Sequence, residues 1–351
     1  MAKTKILCVY DGGITKEIMG ALCDLEKYDA EVVMVEDTDM VSMAEITDRM
    51  GLLEKGGIDA APDCQNLLDA CEDADIIVVH CASINKNVID KAKNLKVAAV
   101  LRGGYENADV PYLTEKKIPL INAPWRSAEA VSDFTVGMMI AENKNIARSH
   151  KLLMEGKWCK KYVNQSYIHN MKNCTVGLIG YGYIGSRVAK KLKGFGCRIL
   201  IHDPFADEAQ IARIENEDQL THVDLDTLLR ESDFVSLHLR QSDQTHHFIG
   251  KEEFAKMKET AYFINTARPL IVDTDALVDA LKNRVIGGAA IDVYDDEPVT
   301  EDHPYLQLDN ITITPHIAGT SSDTMAASVE IGYEELELYL QGKPMRNIRN
   351  L

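Results

Sequence analysis

The stretch CTVGLIGYGYIGSRVAKKLKGFGCRILIHD, residues 174–203, constrains the fold more than any other part of the chain. An apolar strand, TVGLIG, runs into Gly180-x-Gly182-x-x-Gly185, and the helical stretch SRVAKKLKGFG follows. A second strand, CRILIHD, ends at Asp203. Glycines at these positions let the backbone turn tightly and approach a diphosphate, whose charge then sits on the positive N-terminal end of the helix. Asp203 lies 18 residues beyond Gly185, where a carboxylate accepts from both ribose hydroxyls of an adenosine and repels a 2′-phosphate. The spacing predicts a dinucleotide site selective for NAD over NADP. A glycine-rich turn alone is common; the flanking strand, helix and terminal acid make this one specific.

The same alternation runs through most of the 351 residues. KILCVY, EVVMVE, ADIIVVH, KVAAVL and IPLIN are short and almost continuously apolar, with helical stretches such as ITKEIMGALCDLEKY and INKNVIDKAKNL between them. Strands apolar on both faces belong to parallel sheets covered on both sides, so an α/β architecture is expected. The length favours two domains, and the first series of strands ends near residue 121. One long helix is expected over 127–156. A second, amphipathic, is expected over 320–343, opening on Thr/Ser/Asp and stopping near Gly342 and Pro344. Periodicity leaves open whether that last helix returns to the first domain.

No apolar run approaches the roughly 18 residues of a spanning helix, and MAKTKILCVYDGG lacks a signal-peptide pattern. A cytoplasmic protein without a membrane partner is expected. Eight cysteines, none in a CxxC pair, read as reduced thiols and not as a metal site. A net charge of −17 argues against nucleic acid, and means that an anionic substrate needs locally placed arginines.

Three polar residues punctuate apolar strand ends downstream: Arg268 after TAYFINTA, Glu297 after GGAAIDVYDD and His316 after NITITP. Each alone has a bland reading as a solvated arginine, an acidic-loop carboxylate or a packed histidine. Together they suit hydride transfer between NAD and a carbon that bears a hydroxyl and a carboxylate. An imidazole takes the alcohol proton near neutrality. A carboxylate beside it orients the ring and stabilises the imidazolium, and a guanidinium holds the substrate carboxylate through its fork of donors.

With these motifs the chain resembles the D-isomer-specific 2-hydroxyacid dehydrogenases. GYGYIGSRVAKKL…HDP, VSLHLRQSDQTHHFIG, FINTARPLIVD, GGAAIDVYDDEP and NITITPHIAG carry the likeness, over roughly residues 75–325. The chain is similar to the phosphoglycerate-dehydrogenase-like members. The resemblance implies His316 as acid/base with Glu297 as its partner, and Arg268 as the arginine that binds and polarises the substrate. It implies NAD contacts from Gly180, Gly182, Tyr183, Ile184, Gly185, Asp203, His238, Thr266, Ala267, Asp292, His316 and Ala318, with Asp292 at the nicotinamide amide. It also implies two Rossmann-like domains. A flavodoxin-like substrate domain would comprise 1–121 and 320–351, and a doubly wound NAD-binding domain, 122–319, would be inserted in it. The active site would lie in the cleft between them, and the protein would be a homodimer with the helix after residue 127 at its interface.

Several positions depart from the family pattern. Pro269 stands where glycine usually follows the arginine. LRGGYENAD puts Arg102 beside Gly103 and Gly104, the matching candidates for the loop amides that hold the substrate carboxylate. NAPWRSAEAV adds Trp125 and Arg126 at a usually smaller turn, and VVHCASINK offers His80 and Ser83. Ser83, Arg102, Gly103, Gly104 and Arg126 therefore join Arg268 as candidate substrate contacts. 3-Phosphoglycerate, glycerate/hydroxypyruvate and sugar-derived hydroxy acids all fit. No C-terminal regulatory domain is expected. An NAD(H)-sensing, corepressor-like binding protein of the same fold stays open as an alternative, whereas a formate-oxidising relative would carry glutamine at the Glu297 position.

Overall fold

The computed structural model describes residues 3–351. The chain divides into two compact units, one formed by residues up to Ser127 together with Ser321–Leu351, the other by Ala128–Thr320. The first boundary falls later than residue 121 because the chain beyond it stays bonded to the first unit. Ala123 N–H donates to the Arg102 carbonyl at 2.9 Å, and Arg126 reaches Ser328.

The first unit holds a five-stranded parallel sheet of β1 Thr4–Tyr10, β2 Ala30–Glu36, β3 Ile76–Val79, β4 Val97–Val100 and β5 Leu120–Asn122. Its order is β2-β1-β3-β4-β5, so the winding direction reverses between β1 and β3. Successive side chains point to opposite faces. Leu7, Val9, Ile77 and Val79 pack with Leu67, Val88 and Leu113 on one face. Ile6, Cys8, Ile76 and Val78 pack with Leu22, Val329 and Leu336 on the other. The last two come from helix Ser322–Leu340, which starts on a Ser321 cap and stops before Gly342 at φ 69°. That helix belongs to the first unit, and a bridge from Ile348 to Ile121 secures the chain beyond it.

The second unit holds seven parallel strands: β6 Thr175–Ile179, β7 Arg198–His202, β8 Thr221–His222, β9 Phe234–Leu237, β10 Tyr262–Asn265, β11 Gly288–Ile291 and β12 Ile311–Ile313. The order β12-β11-β10-β9-β6-β7-β8 puts the reversal between β6 and β9. Full burial of Phe234 and Phe263, each worth about 1.5–3 kcal/mol, anchors its centre.

The expected helix over 127–156 is two helices, Ala128–Asn143 and Ile146–Met154. Asn145 breaks it at φ 54°, and its buried amide donates to Asn164 Oδ1 at 2.8 Å. Asparagine tolerates this left-handed conformation, and a single-residue break leaves no mark on apolar periodicity. ITKEIMGALCDLEKY forms only a short α-helix, Lys16–Met19, continued as a 3-10 helix over Gly20–Tyr28. All eight cysteines are free. Among the described residues no helix is long and apolar enough to cross a membrane.

Candidate active site

In an open parallel sheet, ligands bind beyond the carboxyl ends of the strands where the winding reverses. In the second unit that point is framed by the loop after β6 and by His238 after β9. Gly180 adopts φ 97°, and a Cβ there would lie 2.9 Å from the His238 carbonyl. Gly185 is tighter: a Cβ would meet the Gly180 oxygen at 2.2 Å. Gly182, by contrast, faces open space and precedes helix Tyr183–Lys193. The amides of Tyr183, Ile184 and Gly185, in the first turn of that helix, lack intrahelical acceptors. Tyr183 is exposed, while Ile184 packs against the core. A bare turn opening on a helix N-terminus fits a dinucleotide diphosphate. Asp203 accepts from the Tyr181 amide at 2.8 Å through Oδ2 and from the Phe205 amide at 3.0 Å through Oδ1. Oδ2 also accepts from Gln210 Nε2 at 3.3 Å, so it is Oδ1, with a single donor, that keeps a lone pair for a further one. His238 Nε2 is sealed from solvent without a partner among the described residues, and burial lowers its pKa to about 3. The ring is therefore neutral.

After β12 the chain places His316 at φ 52°, a left-handed conformation that is uncommon for a non-glycine residue. Its Nδ1 lies 2.9 and 2.8 Å from the two oxygens of Glu297. Glu297 Oε1 also accepts from the Tyr294 amide at 3.2 Å, which fixes the carboxylate. A carboxylate on Nδ1 sets the tautomer and leaves Nε2 for proton exchange. Asp292, fully buried at 0% exposure, braces both sides of the strained residue. It accepts from Thr314 Oγ1 at 2.6 Å and from the amides of Ile317 and Ala318 at 3.0 and 2.8 Å.

Arg268 follows β10 and is exposed. Its Nη1 donates to the Ala267 carbonyl at 2.7 Å. Asn265 holds both sides of the turn, since Oδ1 accepts from the Ala267 amide and Nδ2 donates to the Arg268 carbonyl, each at 3.0 Å. Pro269 opens the 3-10 turn Pro269–Ile271, where a missing N–H costs nothing and a fixed φ is already suitable. Thr266 is tied by its hydroxyl to Thr135 at 2.7 Å.

The remaining candidates lie in the first unit. Ser83 and Arg102 each carry a solvent-shielded polar atom, Oγ and Nη1, without a partner among the described residues. The Gly103 carbonyl accepts from Asn122 Nδ2 at 2.6 Å, and Gly104 adjoins the Glu106 carboxylate. Arg126 Nη1 meets His80 Nε2 at 3.4 Å. Sequence reasoning missed Asp11, whose carboxylate lies 3.0 Å from His80 Nδ1. An acid directly after the first strand was the only available signal.

Residues 136–318 match the family described as D-isomer specific 2-hydroxyacid dehydrogenase, NAD binding domain. A glyoxylate reductase of Thermofilum pendens is 36% identical over 81% of this chain and 84% of its own length. A hydroxypyruvate reductase of Thermotoga maritima is 36% identical over 77% and 85%. A D-3-phosphoglycerate dehydrogenase of Methanocaldococcus jannaschii is 35% identical over 82% of this chain but only 54% of itself. Among solved structures, the NAD-complexed D-isomer specific 2-hydroxyacid dehydrogenase of Lactobacillus delbrueckii ssp. bulgaricus matches 99% of this chain and 100% of its own with a TM-score of 0.76. At 24% identity, that likeness concerns the fold.

Proposed function

The chain belongs to the D-isomer-specific 2-hydroxyacid dehydrogenase family and is an NAD-dependent enzyme, and on that premise we propose that His316, Glu297 and Arg268 carry its reaction. The observation that supports this most is the seating of His316 Nδ1 on both oxygens of Glu297. In the reductive direction His316 Nε2 gives a proton to the keto oxygen, and Glu297 stabilises the ring while it is charged and ready to donate. Arg268 pairs with the substrate carboxylate and polarises the keto group. NADH, when bound, supplies the hydride to the keto carbon. The glycine turn, the amides of Tyr183 and Ile184, and Asp203 hold the cofactor, with His238, Thr266, Ala267 and Ala318 beside it. Asp292 serves by fixing the loop that carries His316.

The substrate is a small 2-keto acid, in the range named for the relatives: glyoxylate, hydroxypyruvate and the keto form of phosphoglycerate. Ser83, Arg102, Gly103, Gly104 and Arg126 contribute its further contacts. We place the enzyme in the cytoplasm, in keeping with eight free cysteines, and assign it a homodimeric state. Removing the imidazole by His316→Ala is expected to lower kcat at least a hundredfold, within the range general acid–base catalysis supplies, while NADH still binds. Stopped-flow NADH oxidation and fluorescence titration measure the two effects. Wild-type turnover in that variant would refute the assignment, and no NADH consumption with any 2-keto acid would favour a binding protein.

A further inference from the structure

The first unit has its own reversal point, between β1 and β3. Asp11 and His80 are the residues that follow those two strands, and Arg102 and Arg126 lie beyond the ends of β4 and β5. Four ionisable side chains thus occupy the end of the sheet where parallel folds bind ligands.

Their pairing is uneven. Asp11 is committed to His80 Nδ1 and to the amides of Gly13 and Ile14 at 2.8 and 2.9 Å. A guanidinium only donates, so His80 Nε2 accepts from Arg126 Nη1 at 3.4 Å and the ring proton sits on Nδ1, facing Asp11. Burial pushes the His80 pKa down against the pull of Asp11, which keeps the ring neutral as this arrangement requires. The other partners of Arg126 Nη1, Ser328 Oγ at 3.4 Å and Met325 Sδ at 3.6 Å, are neutral too. Burial, and then the charge of Arg102, depress the Arg126 pKa. No carboxylate pairs with either arginine among the described residues, and Arg102 Nη1 is shielded without a partner. Two neighbouring, partly buried cations in this condition are costly until an anion joins them.

A metal ion suits the place poorly. Asp11, His80 and Cys81 do bring ligand atoms within 4.8 Å of one another. Asp11 and His80 already satisfy each other, however, and burial pushes the Cys81 thiol up to about 12. The two guanidinium groups would also repel a cation.

We propose that Arg126, oriented by the Asp11–His80 pair, forms with Arg102 a receptor for a second acidic group, carboxylate or phosphate, on the substrate. The inference rests on the dehydrogenase reading and adds a substrate class to it: 2-keto acids with two acidic ends. Arg102 and Arg126 touch the ligand, and His80 and Asp11 are positioning residues.

The test compares kcat/KM for 3-phosphohydroxypyruvate against hydroxypyruvate, and for 2-oxoglutarate against 2-oxobutyrate. At least one pair should show a tenfold preference for the doubly acidic member, and the pair that does so tells phosphate from carboxylate. Arg126→Gln should reduce that preference at least tenfold, and Arg126→Lys should restore part of it. Asp11→Asn should raise KM for the doubly acidic substrate more than it lowers kcat. Ratios near one in both pairs would overturn the receptor and leave the dehydrogenase standing. Should no acid consume NADH, the dehydrogenase reading fails and binding decides the receptor. Inorganic phosphate or succinate raising the melting temperature of the native protein but not of Arg126→Gln supports it; equal shifts, or none, overturn it.

Discussion

His316 is held in a conformation that its side chain does not favour, and the cost of such backbone strain is about 1–3 kcal/mol. Asp292 supplies the compensation, through one hydroxyl and two amides on either side of the histidine. Asp292→Asn keeps the volume but places an amide nitrogen where an acceptor is needed. It is expected to lower kcat at least tenfold while the dissociation constant for NADH changes less than threefold, as measured by steady-state kinetics and fluorescence titration. A cofactor contact through Asp292 would instead weaken NADH binding. Arg268, Glu297 and His316 stand out in the sequence because each interrupts an apolar strand end. The three internal donors of Asp292 do not, since an acid after an apolar strand looks the same whatever it faces. Pro269 became intelligible only with Asn265, which grips the Arg268 carbonyl that the proline follows.

At the level of elements, the turn between β6 and helix Tyr183–Lys193 separates two uses of glycine. Gly185→Ala would drive a Cβ to 2.2 Å from the Gly180 oxygen, and overpacking of this kind costs about 1–3 kcal/mol. Urea denaturation should show that loss together with weaker NADH binding. Gly182→Ala, with open space around its Cβ, should weaken NADH binding and leave the urea midpoint unmoved. This motif was readable because strand, turn and helix are adjacent in sequence. The pairing of Asp11 with His80 spans 69 residues, and only the strand order brings the two together. Local pattern likewise missed the Asn145 break, where the side chain bonds to Asn164 on the far side of the next helix in sequence.

On the scale of the whole molecule, helix Ile146–Met154 buries none of its residues within the chain. Leu153, Met154 and Trp158 stay largely exposed, Met154 at 76% and Trp158 at 79%. Apolar groups gathered in this way mark association surfaces, and a second copy of the chain is the partner assigned above. Light scattering after size exclusion should report a dimer for the native protein and a monomer for the double variant Met154→Glu, Trp158→Glu; an unchanged mass would place the interface elsewhere. The first unit, finally, is assembled from both ends of a chain whose middle forms the second. During synthesis, the sheet face of Ile6, Cys8, Ile76 and Val78 waits for Val329 and Leu336 until all of Ala128–Thr320 has been made. At about 5–20 residues per second that delay is on the order of ten to forty seconds. The second unit can close as a contiguous piece in the meantime, so the nascent chain carries a finished nucleotide domain while one apolar face of the first unit still lacks its cover.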